Sequence, residues 1–259
     1  MIIDRKIYSS EEKSEKKGIS DLFMFCFSTE SQIGEVLMSI AVQLSGFLFL
    51  LIIITLIICD ILGHGTIDDL NSEAKLQKIN EDPKKFRISF LLLIIEHVII
   101  ILLAITLFIA FSPFNIILGA IWVIFRGMEG LLNIYGKKNY WGLLDIANQY
   151  SEASSAEKTE LVNLGRSILK TKNSLFAFAQ ILFSIGTLAY SILFVTYETA
   201  VPVIVGWFGI VAGTIYGLGN GIQLVKPNFK AILYVGAPLV LIFELVLGGW
   251  LFFWGIIPT

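Results

Sequence analysis

Six long apolar stretches divide this chain of 259 residues and limit what it can fold into. A helix of about 20 apolar residues is long enough to cross the hydrocarbon core of a membrane. The stretches that reach this length cover roughly residues 36–62, 88–112, 114–135, 173–197, 202–224 and 230–257. We therefore predict an all-α polytopic membrane helix bundle with six transmembrane helices.

The charged residues are few and unevenly distributed, as expected for a membrane protein. They make up 15% of the chain, whereas soluble domains carry about 25%. They concentrate in residues 1–35, 60–87 and 137–172, between or before the apolar stretches. The net charge of −2 disfavours a nucleic-acid-binding surface, which needs clustered Lys and Arg. The partner that this composition predicts is the lipid bilayer.

The same distribution predicts one transmembrane domain, residues 36–257, after a polar segment, residues 1–35, that is membrane-surface or disordered. Within the domain, residues 140–172 contain leucines spaced among charged residues, which is typical of an amphipathic helix at the membrane surface. A solvated linker is the alternative. Asn71 is a suitable N-cap for a second surface helix that ends before Pro83.

The loops with Lys and Arg predict the orientation in the membrane. The loops 63–87, 136–172 and 225–230 contain five, six and two such residues, and the remaining links contain none. Because cytoplasmic loops are enriched in Lys and Arg, we expect these three loops on the cytoplasmic side of a cell membrane. The N-terminus then lies outside, although residues 1–35 hold five Lys or Arg beside seven acidic residues.

Ionisable side chains inside the predicted spans indicate a buried polar layer. A central charge costs about 3 kcal/mol in a membrane helix, so such groups are expected to face one another or a hydrated cavity. A rise of about 1.5 Å per residue gives their depths. The layer on the basic-loop side is predicted to contain Glu96, Arg126, Glu129, Gln180, Tyr216, Asn220 and the more deeply placed Glu244.

Arg126 and Glu129 are three residues apart on one helix face, so they are the expected first contact of this layer. Glu96 or Glu244 is the expected second acceptor for the guanidinium. One Arg cannot neutralise three carboxylates, so at least one carboxyl is expected to hold a proton near neutrality. Two interpretations stay open: an ionic cluster that only fixes helix register, or a layer that binds a ligand.

Glycines at four-residue spacing mark the fifth predicted span: Gly209, Gly213, Gly217 and Gly221. This ladder allows a neighbouring helix to approach closely. Packing within one chain is the favoured interpretation, with Gly248 and Gly249 as candidate neighbours. A homo-oligomer face or a moving element is the alternative.

Sequence motifs for catalysis are absent, including HExxH, GxSxG and phosphate-binding glycine loops. Asp60 and His64 are four residues apart, but two ligands do not make a metal site, and we expect no metal or other cofactor. Three functions remain as hypotheses. The first is a structural or regulatory membrane protein. The second is a small transporter or proton-coupled permease that uses the polar layer for a small molecule or a proton. The third is an intramembrane enzyme, the weakest because no nucleophile–base pair is visible.

Four stretches of the chain share the pattern of a known family: INEDPKKFRISF, IWVIFRGMEGLL, LFAFAQILFSIGTLAYSILF and LIFELVLGGWLFFWGI. They resemble an uncharacterised prokaryotic membrane family catalogued as domain of unknown function 4386. The resemblance covers roughly residues 36–257. It implies a compact multi-helix membrane domain in which Arg126, Glu129 and Glu244 match the family's polar positions, and it implies no activity.

Overall fold

The computed structural model describes residues 3–62, 71–227 and 229–255, with side chains from residue 32 onward. The helices are α1 Ile3–Ile61, α2 Ser72–Glu81, α3 Pro83–Phe111, α4 Ile116–Trp141, α5 Leu143–Glu152, α6 Ser155–Thr196, α7 Val203–Val225 and α8 Ala231–Trp254. Six of them are long and apolar enough to cross a membrane: α1, α3, α4, α6, α7 and α8. The predicted all-α bundle with six spans is confirmed.

The six spans are arranged as a closed ring. Helix α1 packs against α3 and α8, α4 against α3 and α6, and α7 against α6 and α8. The end of the ring with the predicted basic loops is called the basic-loop side. The other end, with the short links at residues 112–115 and 197–202, is called the opposite side. In a ring, unlike in two packed layers, side chains from every span can meet at the central axis.

Helix α6 differs from the sequence-based expectation. The fourth span was predicted to start at residue 173, after a separate surface segment, but α6 is continuous from Ser155 to Thr196. The backbone N–H and the hydroxyl of Ser154 donate to the Glu157 carboxylate at 2.8 and 2.7 Å. These two hydrogen bonds stabilise the first turn of α6. They also lower the pKa of the Glu157 carboxyl. Nothing after this cap breaks the helix, so it continues as its surface changes from amphipathic to apolar.

The basic-loop side has an apolar core of its own. The short helices α2 and α5 pack there against α6, with Leu76, Phe86 and Leu143 at most 1% exposed. The Tyr150 hydroxyl of α5 donates to the Glu73 carboxylate of α2 at 2.8 Å. The surface helix predicted after Asn71 is confirmed as α2, and the Asn71 side chain accepts a hydrogen bond from the backbone of Ala74. This core holds α2 and α5 against the ends of the spans.

Aromatic side chains close the ring on the opposite side. Phe111, Tyr190 and Phe194 are at most 1% exposed, and Tyr190 packs edge-on against Trp122 with ring centroids 4.4 Å apart. The Asn115 amide donates to the Tyr197 hydroxyl at 2.8 Å and so joins the two short links. The ring is therefore densely filled at this end.

The glycine ladder of α7 lies against α6 of the same chain. A Cβ added to Gly217 would lie 2.8 Å from the Cβ of Ser184, and one added to Gly209 would overlap the Ser191 hydroxyl. A Cβ added to Gly221 would meet nothing within 4 Å. Helices α6 and α7 are therefore in close contact from Gly209 to Gly217, and Gly221 lies outside this contact.

The expectation that Gly248 and Gly249 meet the ladder is wrong. A Cβ added to Gly248 would lie 2.6 Å from the Cβ of Phe49 on α1, whereas one added to Gly249 would meet nothing within 4 Å. The reason is that α8 lies between α1 and α7, and the face of α8 that carries Gly248 is turned toward α1.

Replacement of Gly209 by Ala is expected to lower the melting temperature of the detergent-solubilised protein. The new methyl group would overlap Ser191 and the ring of Phe243, and overpacking of this kind costs about 1–3 kcal/mol. The matched variant is Gly221→Ala, where the methyl group enters open space. Thermal unfolding followed by tryptophan fluorescence checks this, and equal melting temperatures for the two variants would contradict the packing of α7 on α6.

Candidate functional site

A cavity of about 590 Å³ occupies the axis of the ring, and all six spans contribute to its lining. Its volume is within the usual range of small-molecule sites, about 300–1,000 Å³. All the side chains of the predicted polar layer line it: Glu96, Arg126, Glu129, Gln180, Tyr216, Asn220 and Glu244. They come from five different helices, so the cavity is where the ring brings the isolated polar positions of the sequence together.

Arg126 is the centre of the deepest polar group. One terminal guanidinium nitrogen donates to Glu129 Oε2 at 2.6 Å and the other to Glu244 Oε1 at 3.0 Å. The guanidinium also lies over the ring of Phe183, 4.3 Å from its centroid. Arg126 and Glu129 are each 2% exposed and Glu244 is 8% exposed. This ionic triad connects α4 to α8 across the ring, and the second acceptor is Glu244, not Glu96.

Glu96 belongs to a second polar group on α3. Its Oε2 lies 3.3 Å from His97 Nδ1, and the same nitrogen contacts the backbone carbonyl oxygen of Leu93. Both side chains are buried, at 6% and 5% exposure. Asn133 of α4 lies on the same cavity, and its amide nitrogen is buried without a hydrogen-bond acceptor among the described residues. His97 and Asn133 were not among the predicted site residues.

The mouth of the cavity contains lysines that the sequence-based layer did not include. Lys137 and Lys172 line it, and their Nζ atoms lie 6.0 and 5.0 Å from the centroid of the Tyr140 ring. Lys230 lies on the same lining. With Arg126, the lining has four cations and three carboxylates. The single-arginine charge balance expected from the sequence is therefore wrong.

The signal for Lys137 was present in the sequence. Lys137 lies four residues after Asn133 and eight after Glu129, on the same face of a helix. The predicted span ends at residue 135 and so excludes Lys137, whereas α4 continues to Trp141. Long side chains of this kind can reach the aqueous boundary from the end of a span.

Among the described residues, the cavity continues toward the basic-loop side of the ring and ends near Glu244 on the other side. Beyond Glu244, the next void, against Trp122 and Tyr190, has a volume of about 10 Å³, enough for one water molecule. Toward the basic-loop side, the cavity shares Asn173 and Lys230 with a surface cavity of about 670 Å³ between α2, α6 and the start of α8. The polar interior is thus connected to the basic-loop side and separated from the opposite side.

The remaining candidate, the pair Asp60 and His64, cannot be placed, because His64 lies outside the described residues. Within the described ranges no group of three metal-ligating side chains occurs. Asn220, a member of the predicted layer, has its amide bonded to the backbone carbonyl of Tyr216 at 2.9 Å, so it is oriented by its own helix.

Six apolar spans in a ring, with a buried ionic triad and an axial cavity, define a multi-pass integral membrane protein. The chain belongs to the family described as Domain of unknown function (DUF4386), whose model matches residues 44–255. That match confirms the resemblance found in the sequence. No curated protein and no solved structure matches the chain.

Proposed function

We propose that this protein is a small membrane transporter whose substrate-binding site is the axial cavity. The observation that carries this proposal is a cavity of about 590 Å³ that is lined by Glu96, Arg126, Glu129 and Glu244 and that continues, among the described residues, toward the basic-loop side. A transporter requires such a site near the middle of the membrane, accessible from one side at a time. A protein in which the charges only hold helices together does not require a cavity beside them.

Two features of the lining support substrate binding. Polar groups that can donate and accept hydrogen bonds come from α3, α4, α6, α7 and α8, so movement of any one span would change the site. Apolar side chains, among them Phe176, Phe183 and Leu93, lie between them. Apolar walls with a few convergent polar groups are the usual composition of a small-molecule site.

The ionic triad favours a second candidate function, a structural or regulatory membrane protein. Arg126 joins α4 to α8 through two charge-assisted hydrogen bonds in a place that is nearly inaccessible to water. Such a triad can fix the arrangement of helices without any ligand. The two functions differ in whether the cavity is ever exposed to the opposite side.

The test measures this exposure with a membrane-impermeant thiol reagent. In a background with Cys26 and Cys59 replaced by Ala, Gln180→Cys introduces a thiol on the cavity wall. A transporter is expected to react rapidly from the basic-loop side and, more slowly, from the opposite side, because the cavity opens to each in turn. The matched variant is Ala179→Cys on the same turn of α6, where the side chain is 0% exposed and is expected to react from neither side.

Reaction of Gln180→Cys from the basic-loop side alone would contradict transport and support the structural function. A thiol at this position that reacts from neither side would contradict the presence of a water-accessible cavity beside Gln180. Vesicles of both orientations allow the two sides to be compared at equal protein content.

We also propose that the loops 63–87, 136–172 and 225–230 face the cytoplasm, with the cavity mouth on that side. The support is their Lys and Arg content, against none in the links of the opposite side. The same thiol reagent, applied to intact cells and to inverted vesicles of Gln180→Cys, checks the assignment.

A further inference from the structure

Two buried nitrogen atoms on the axial cavity have no hydrogen-bond acceptor among the described residues. They are Arg126 Nε and Asn133 Nδ2, in side chains that line the cavity and are 2% and 6% exposed. Each of these atoms can only donate a hydrogen bond. By contrast, no carboxylate oxygen on the described lining is both buried and unpaired. The hydrogen bonds that the cavity lacks therefore require an acceptor, which a ligand in the cavity can supply.

The charge of the lining favours an anion in the same place. With every group ionised, the four cations of the described lining exceed its three carboxylates by one positive charge. A ligand with a single negative charge brings the balance to zero. A dianion would reverse the balance and would be repelled by the carboxylates at short range, where water screens charges poorly.

The surface cavity beside the mouth is basic as well. Its described lining holds Arg166, Lys170 and Lys230 against one carboxylate, that of Glu73. None of the three cations forms a salt bridge within the described part of the chain. Arg166, Lys170 and Asn173 follow one face of α6 at helical spacing, and Asn173 lines both cavities. A path lined by one sign of charge raises the local concentration of an oppositely charged ligand.

Apolar side chains form much of the remaining wall of the axial cavity. Leu93 of α3, Phe176 of α6 and Val240 of α8 lie on it among the polar groups. Its volume of about 590 Å³ lies in the range of sites for organic molecules, about 300–1,000 Å³. The ligand is therefore expected to have an apolar body attached to its charged group.

We propose that the substrate of this protein is a small organic monocarboxylate with an apolar body, which approaches through the surface cavity. This inference rests on the proposed function and adds its substrate class. The carboxylate accepts a hydrogen bond from the Asn133 amide. Arg126 and Lys137 lie seven residues before and four residues after Asn133, so they place positive charge on both sides of it along one face of α4.

Binding of tritiated benzoate to the full-length protein in phosphatidylcholine nanodiscs tests the substrate class. Saturable binding above that of empty nanodiscs is expected. Benzamide has the same ring without the charge, benzylammonium has the opposite charge, and phenyl phosphate has up to two negative charges. Each is expected to compete at least about tenfold more weakly than unlabelled benzoate.

Absence of saturable benzoate binding would overturn the proposal. Competition by benzamide or benzylammonium as strong as that by benzoate would overturn the negative charge of the ligand. Equal competition by phenyl phosphate would overturn the restriction to a single charge.

Replacement of Asn133 by Leu distinguishes a binding role from a structural one. Leucine has a similar shape but no donor, so benzoate binding is expected to weaken at least about tenfold. The melting temperature is expected to stay the same or rise, because a buried unpaired nitrogen is removed. The matched variant is Asn139→Leu, at an exposed position of α4 outside the described lining, and it is expected to change neither quantity.

Unchanged benzoate binding in Asn133→Leu would overturn the role of Asn133. A lower melting temperature would overturn it too, because it would show that the amide nitrogen has a partner within the protein.

The approach path is tested with Gln180→Cys in the cysteine-free background. Two methanethiosulfonate reagents are compared from the basic-loop side, one with an anionic sulfonatoethyl group and one with a cationic trimethylammonioethyl group. Each rate is divided by the rate of the same reagent with free cysteine. The anionic reagent is expected to have the higher normalised rate, and benzoate is expected to protect the thiol.

Neutral replacements of the path cations are expected to remove this preference. Arg166→Gln combined with Lys170→Gln is expected to lower the rate of the anionic reagent about tenfold at low salt and less at high salt. The matched variant is Lys138→Gln, which removes a cation outside the described linings of both cavities and is expected to have no effect. A cationic reagent that reacts at least as fast as the anionic one would overturn the path.

Failure of the proposed transport gives a different result. Gln180→Cys would then react from the basic-loop side alone. Benzoate binding and the preference for the anionic reagent need no exposure of the opposite side, so both would remain.

Discussion

Replacement of Arg126 by Leu is expected to destabilise the protein more than any other single change in the cavity. The variant leaves Glu129 and Glu244 buried without the group to which both are hydrogen-bonded, at 2.6 and 3.0 Å. Removal of one partner from a buried ion pair costs about 3–5 kcal/mol, which is a large part of the stability of a typical domain. We expect a low yield of monodisperse protein by size-exclusion chromatography and a lower melting temperature.

A rescue variant distinguishes the loss of charge pairing at Arg126 from the loss of its side-chain packing. Arg126→Leu combined with Glu129→Gln and Glu244→Gln removes all three charges, so most of the lost stability is expected to return, as seen when buried ionic groups are replaced by neutral residues. A triple variant as unstable as Arg126→Leu would contradict an electrostatic cause. It would indicate that the packing of the guanidinium on Phe183 holds the helices in place.

Replacement of Gly46 by Leu is expected to separate α1 from α8. Even a Cβ at this position would lie 2.7 Å from the Cα of Phe252, and a backbone atom cannot move aside as a side chain can. The expected loss is at least about 3 kcal/mol, the upper end of ordinary overpacking effects. Thermal unfolding in detergent and the monodisperse fraction measure it.

The matched variant for this experiment is Gly34→Leu on the same helix, where an added Cβ meets nothing within 4 Å. It is expected to leave the melting temperature unchanged. Equal effects of the two substitutions would show that α1 tolerates a large side chain at its contact with α8. The close contact between Gly46 and the backbone of Phe252 would then be wrong.

Arg126 and Gly46 hold helix α8 at two different places. Arg126 connects α4 to α8 across the ring, and Gly46 holds α1 to α8 at the opposite side. Helix α8 is therefore fixed at both places, and its remaining face on the basic-loop side, with Ala237 and Leu241, lines the cavity. A transporter that binds its ligand here would have to release one of these contacts to open the opposite side.

Local patterns in the sequence were sufficient for the spans and for part of the site. The length of each apolar stretch predicts a spanning helix because an unpaired backbone is not tolerated in hydrocarbon. The spacing of Arg126 and Glu129 predicts their contact because residues three apart lie on the same helix face. For the same reason the glycines of α7 predict a close helix contact, although not with which helix.

The ends of the helices were less predictable. Hydropathy ends a span where charged residues begin, but a helix continues as long as its backbone hydrogen bonds are made. Helix α4 therefore includes Lys137 and α6 includes Lys172, and both lysines reach the cavity mouth. Because the predicted spans end at the apolar boundary, they exclude these two cations of the site.

The sequence by itself determined six spans, the residues that are costly to bury, and the contacts made within one helix. Only the tertiary structure decided that Glu244, 118 residues away, is the second partner of Arg126. It also decided that the ring encloses a cavity to which all six spans contribute side chains. The physical reason is that helix formation depends on neighbours along the chain, whereas the order and tilt of helices around a ring depend on side-chain packing between distant segments.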